Sequence, residues 1–209
     1  MFQQLQELLQ HRNPRFVCEA AGDKPDAGEH IAHIDHEVTP GLDANALADL
    51  RQQVGDLPHL LAFYERYGSV RLFRDSIEDQ WIGRASAYYI APPDEWAELR
   101  DGAQSWFDDL SEDEARELLP DWITEYVVVG EIPESGNYFL MPLVGNNRGK
   151  VYTFDHDGYV FIERGSNFEE FVNALARVDA EHLDEIGGHT RYADGKTEYQ
   201  WMPNQYLHD

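Results

Sequence analysis

One cysteine, Cys18, is all the thiol chemistry this 209-residue chain has. It excludes an intrachain disulfide and argues for a reducing compartment. Basic residues are scarce: 16 Lys and Arg stand against 40 Asp and Glu, a net charge of −24, and protonating all nine histidines would leave −15. So acidic a surface repels phosphate backbones and anionic membranes, which argues against nucleic-acid and membrane partners. The same field would attract a basic protein, although acidity can also serve solubility alone. No apolar run approaches the ~20 residues of a membrane span. The opening Met1–Leu9 stretch has neither the basic start nor the long apolar run of a signal peptide. Cytoplasmic is the expected location. No Pro-, Gly- or Ser-rich linker divides the sequence, so one domain over 1–209 is expected, large enough to bury roughly 70% of its unfolded surface.

Catalytic motifs are missing as well. There is no G-x-S-x-G, and Cys18 has no motif around it. His30, His33 and His36 are evenly spaced, but the spacing suits metal binding poorly. On a helix the outer two diverge by about 120°, and on a strand His33 faces away from the others. Asp155-His156-Asp157-Gly158 only superficially resembles a calcium loop, whose glycine belongs at the sixth position. It reads as a tight turn. Gly145–Gly149 joins two strands, so it is not a phosphate cradle. Neighbouring acids such as Asp108-Asp109 and Glu169-Glu170 lack the cross-cleft separation of a glycosidase pair. No catalytic residue, cofactor or metal ligand is expected, and the chain does not read as an enzyme.

What is present is a run of strands closed by a helix. The segments 125-EYVVVGE-131, 137-NYFLMPL-143, 150-KVYTF-154 and 159-YVFI-162 are rich in Val, Tyr and Phe and are separated by turn residues. Ser166 and Glu169 have capping-box spacing, and Phe168, Phe171, Val172 and Leu175 then form one apolar stripe. Upstream, helices are expected over 2–10, over 43–53 from Asp43 to a stop at Gly55, and from an Asp56 N-cap through Pro58 to Gly68. Short strands follow at Val70–Phe73 and Tyr88–Ile90, with an acidic turn at Asp75–Asp79 between them. A helix after Pro92-Pro93 repeats Trp96, Leu99, Ala103, Trp106 and Leu110 at helical spacing. A second capping box, Ser111 with Glu114, opens a shorter helix to Pro120. Residues 12–42 are the least readable part, with Gly, Pro and charges around 22-GDKPDAGEH-30, and Asp194-Gly195 suggests a terminal hairpin between 190-TRYA-193 and 196-KTEYQW-201.

The segment 94–125 differs in kind. It holds twelve acids against Arg100 and Arg116, a net of −10, with Trp96, Trp106, Phe107 and Trp122 among them. An acidic rim with aromatic anchors suits a basic protein surface, whereas an amphipathic helix pair would put the aromatics in the core and leave the acids merely solvated. The spacing of Trp96 and Trp106 fits the core. The residues nominated for partner contact are Asp101, Asp108, Asp109, Glu112, Asp113 and Trp122.

Two stretches, 57-LPHLLAFYERYGSV-70 and 149-GKVYTFDHDG-158 followed by 166-SNFEEFVNAL-175, resemble the SUKH superfamily, the Smi/Knr-type group. The first is similar to that family's Leu-Pro helix ending in a Tyr-Gly or Asn-Gly turn. The second is similar to its Val-Tyr-x-aromatic-Asp-His strand end and closing Ser-Phe-x-x-Phe helix. Phe154 stands where a Trp often does. The likeness spans about 43–178, with 180–209 an extension. It implies an α+β fold, a curved antiparallel sheet of about four to six strands flanked by helices. It further implies a non-catalytic protein-binding domain, in bacterial members an immunity protein that neutralises a secreted toxin, often a nuclease. A regulatory or scaffolding module of the fungal kind and an uncharacterised enzyme or small-ligand binder are the alternatives. The partner expected on this reading is a basic protein, a candidate toxin.

Overall fold

The computed structural model describes residues 1–10, 15–21, 29–77, 80–81, 86–179, 181–183, 185–186 and 200–207. One antiparallel ten-stranded sheet organises it. The chain opens with helix α1 (Gln3–Gln10) and strands β1 (Arg15–Ala21) and β2 (Glu29–Pro40), followed by α2 (Ala44–Val54) and α3 (Pro58–Arg66). Then come β3 (Tyr67–Ile77), the two-residue β4 (Gln80–Trp81), β5 (Tyr88–Ile90), α4 (Trp96–Asp108) and α5 (Glu112–Leu118). The remainder is β6 (Tyr126–Ile132), β7 (Asn137–Pro142), β8 (Val151–Asp155), β9 (Val160–Gly165), α6 (Phe168–Leu175) and β10 (Gln200–Leu207). The strand order is β10-β1-β2-β3-β5-β6-β7-β8-β9, with β4 paired to β3 alone. Sequence neighbours pair except at β4, which β5 bypasses to pair with β3, and at β10, which returns to the N-terminal side of the sheet beside β1.

Local chemistry explains most boundaries. The Asp43 carboxylate accepts the N–H groups of Asn45 and Ala46, both at 2.9 Å, and Gly55 at φ +73° ends α2. Ser111 and Glu114 form the expected capping box on α5. Other expectations shift. Asp56 is not the cap of α3: Leu57 occupies that position without a side-chain bond, and Pro58 presets the first turn. Nor does Gly68 end α3; the helix stops at Arg66 and passes directly into β3. A Cβ at Gly68 would lie 2.5 Å from the Pro40 carbonyl, so this glycine serves the close approach of β2 and β3. Asp75 belongs to β3 rather than to a turn.

The box expected between Ser166 and Glu169 slips by one residue. Glu169 is drawn to His59 Nδ1 at 3.0 Å and to the Phe2 N–H at 3.2 Å. Glu170 folds back on Ser166 instead, and Asn167 becomes the N-cap of α6 by accepting the Glu170 N–H at 3.0 Å.

Both faces of the sheet's central strands are covered. In β6 the side chains of Val127 and Val129 turn toward one core, and those of Tyr126 and Val128 toward another, as period-two strand geometry requires. The larger core lies under α1, α2, α3 and α6. Phe63 is at its centre, edge-on to Phe2 (5.6 Å), Tyr64 (5.1 Å) and Phe168 (5.1 Å). The smaller core gathers Ala103 and Phe107 of α4 over Val128, Leu140 and Phe154. No described helix is long and apolar enough to cross a membrane. The expected 190–201 hairpin lies mostly outside the described residues; β10 is described, and it pairs with β1.

Candidate functional site

The acids of 94–125 cover the outer surface of α4, α5 and the single 3-10 turn Asp121–Thr124 that follows them. All are exposed except Glu95, which is half-buried with its carboxylate accepting the Tyr89 hydroxyl at 2.6 Å. Asp101 and Asp108 lie on α4, Asp109 caps its C-terminal end, and Glu112 and Asp113 occupy the first turn of α5. The two cations of the segment are engaged locally. Arg116 pairs with Asp113 at 2.9 Å, and the Arg100 guanidinium sits 4.9 Å from the centre of the Tyr126 ring. Neither spreads its charge over the remaining acids.

Position within the helices separates these acids into two groups. Glu112, Asp113 and Glu114 stand at the N-terminus of α5, where the positive end of the helix dipole favours them. Hydrogen bonds from the Ser111 hydroxyl and backbone N–H hold the Glu114 carboxyl below its usual range. Local folding accounts for that trio. Asp108 and Asp109 sit at the opposite pole, the C-terminus of α4, where negative charge meets the negative end of the dipole. Asp108 accepts only a 2.7 Å bond from the Gln104 amide. Helix stability does not account for this pair.

The aromatics beneath do not match the sequence expectation one for one. Trp96 is buried, as its spacing indicates. Trp122, nominated as an anchor, is only 8% exposed and stacks on Tyr152 with ring centres 4.9 Å apart, so it forms part of the floor under the acids. Trp106, assigned to the core, is half-buried, with its ring 4.4 Å from that of His156 and its carbonyl accepting the Tyr159 hydroxyl at 3.0 Å. Trp106 is the more accessible indole. Helical periodicity assigns Trp96 and Trp106 a side but cannot say which lies at the rim of the covered area.

Elsewhere the polar groups have structural work. Asp155–Gly158 is a turn in which the Asp155 carboxylate accepts the Asp157 N–H at 3.2 Å. His30, His33 and His36 share β2, and His36 Nδ1 accepts the Phe73 N–H at 3.1 Å, which occupies that nitrogen. The side chains of His30 and His33 fall outside the described residues. Among the described residues no group of three or more His, Cys, Asp and Glu is gathered for a metal ion. Glu131, across the sheet from Tyr89, has its carboxyl pushed up by burial and partly drawn back by Arg71. An open cleft lies between the starts of α3 and α6, lined by His59, Arg148 and Ser166 among others. Its charged groups are spoken for: Arg148 donates to the Val54 and Asp56 carbonyls, and His59 faces Glu169. Arg148 thereby ties the β7–β8 loop to the end of α2, a contact no sequence pattern announces.

The model of the SMI1 / KNR4 family (SUKH-1) matches residues 41–174. The chain belongs to that family. No curated protein and no solved structure matches the chain. The match takes this SUKH-1 protein from just before α2 to nearly the end of α6, including β3–β9 and all of the acidic surface. Strands β1, β2 and β10 lie outside it; with the two-residue β4 they account for the sheet's size beyond the four to six strands expected.

Proposed function

We propose that this SUKH-1 protein is a non-catalytic binding domain that neutralises a basic protein toxin through the surface of α4 and α5. One observation carries the reading: exposed Asp108 and Asp109 are held at the end of α4 where helix electrostatics disfavour them. Residues that cost local stability and remain exposed suit a role in recognition. Around them the segment's net charge of −10 would speed the approach of a cationic protein and align it on encounter. The packed core below, with Phe107 and Trp122 in contact with the sheet, keeps the acids preorganised. The family supports a protein-binding role, and the charged groups of the α3–α6 cleft are committed to structural contacts.

The test is rescue. Co-expression with a toxic reading frame encoded beside this gene should restore growth. Changing Asp108, Asp109, Glu112 and Asp113 to lysine should abolish that rescue while the protein stays folded. Rescue undiminished by the four changes would remove the acidic surface from the account, and no rescue by any neighbouring toxin would remove the immunity role.

A further inference from the structure

The two borders of the sheet are built differently. β10 carries Pro203, which has no N–H to offer, and its register with β1 slips between Val17 and Cys18. Both features blunt an edge against pairing with another chain. β9, at the other border, has no proline and runs Val160–Gly165 beside β8, with no partner on its outer side among the described residues. The charges on β9, which could have guarded it, are paired within the protein, with Glu163 still exposed. Glu163 pairs with Lys150 at 2.9 Å, and Arg164 binds Glu185 and the Thr153 hydroxyl. Besides Glu163, what faces solvent is Val160, 48% exposed, and Ile162, 44% exposed, two β-branched residues on the same side of the strand. Phe161, between them, points the other way and touches Trp122 at 5.5 Å and Phe107 at 6.2 Å. The border strand is thus continuous with the floor of the acidic surface.

We infer that β9 is a docking strand that pairs, edge to edge, with an extended segment of a basic partner. The inference rests on the acidic-surface reading above and adds the element the partner would grasp. An added strand would satisfy the outward N–H and C=O groups of β9 and cover Val160 and Ile162 with alternate apolar side chains. Its remaining side chains would be cationic, because they would fall on the other face of the strand, that of exposed Glu163 and of Phe161, which packs against Phe107 and Trp122 under the acids of α4 and α5. A second copy of this chain is disfavoured as the occupant: each copy carries −24, and pairing two would bring those charges together.

A labelled decapeptide alternating valine and lysine is the probe, with the same peptide N-methylated at every second residue as its control. The unmethylated peptide should bind saturably and slow hydrogen exchange at the outward amides of residues 160–165. N-methylation should weaken it at least about tenfold, and Ile162→Pro should abolish the difference between the two peptides. Should the proline variant unfold, Val160→Thr with Ile162→Thr, both at exposed sites, should still weaken binding. Equal binding of both peptides, protection elsewhere than β9, no binding at all, or a dimer that protects β9 without peptide would each overturn the docking strand. Toxin rescue separates the two readings. Rescue lost on reversing Asp108 and Asp109 but kept in the threonine double variant rejects the strand and leaves the acidic surface standing. Rescue lost only in the threonine variant does the opposite.

Discussion

Helices α6 and α5 are of similar length and both begin with acids behind a side-chain cap, yet they are held in opposite ways. α6 buries Phe168, Phe171, Val172 and Leu175 against the sheet and its neighbouring helices. α5 buries nothing, and Leu118 is 37% exposed. The first is fixed by packing, the second by its cap and by its short connection to α4. A segment that contributes so little to the core is free to serve another purpose, and in this protein it carries acid. The contrast extends to α4, whose inner side is core and whose C-terminal end bears charge that its own dipole opposes.

The strongest way to break this comparison is to truncate one side chain on each helix. Phe171→Ala should cost about 3–5 kcal/mol, because a fully buried ring leaves a cavity. Leu118→Ala on α5 should stay within about 0.5 kcal/mol. Urea denaturation of both variants checks the pair, and similar losses would mean that α5 is a packed element after all.

A smaller, local effect sharpens the role of the cap. Ser111→Ala should speed amide exchange across 112–118 without moving the global transition, and should return the Glu114 carboxyl toward its ordinary range. The sign is fixed by the direction of the shift. A carboxyl held low in the folded state stabilises above its unfolded pKa, and that contribution fades as pH falls through the lowered folded value. The wild-type cap should therefore weaken only in acid, and an NMR titration of Glu114 unchanged by the substitution would show that Ser111 is not its cause.

Much of the family region was legible in the sequence because its signals are local. The four strands from 126 to 165, the caps at Asp43 and Ser111, and the apolar stripe of α6 all follow from turn residues and periodicity. The N-terminal strands were not. β2 runs 29-EHIAHIDHEVTP-40, a sequence crowded with charge and histidine, and it is defined by pairing with β1 and β3 rather than by its own composition. The one-residue slip at Ser166 has a similar cause, since the partners of Glu169, His59 and Phe2, are remote in sequence. For the candidate site, the charge was visible but its depth was not. Trp122 lies in the floor and Trp106 nearer the rim because the extent of helix cover, which periodicity does not encode, decides which ring is sealed. The open border at β9 was equally hidden, because strand order is a property of the assembled sheet.

The most direct test of the central claim joins stability to function in one variant, Asp108→Lys with Asp109→Lys. Cations at the C-terminus of α4 should be favoured by its dipole, by roughly 0.3–1 kcal/mol each. The account predicts a melting temperature equal to or above that of the wild type, together with loss of toxin rescue. A variant that is more stable and still rescues fully would contradict it.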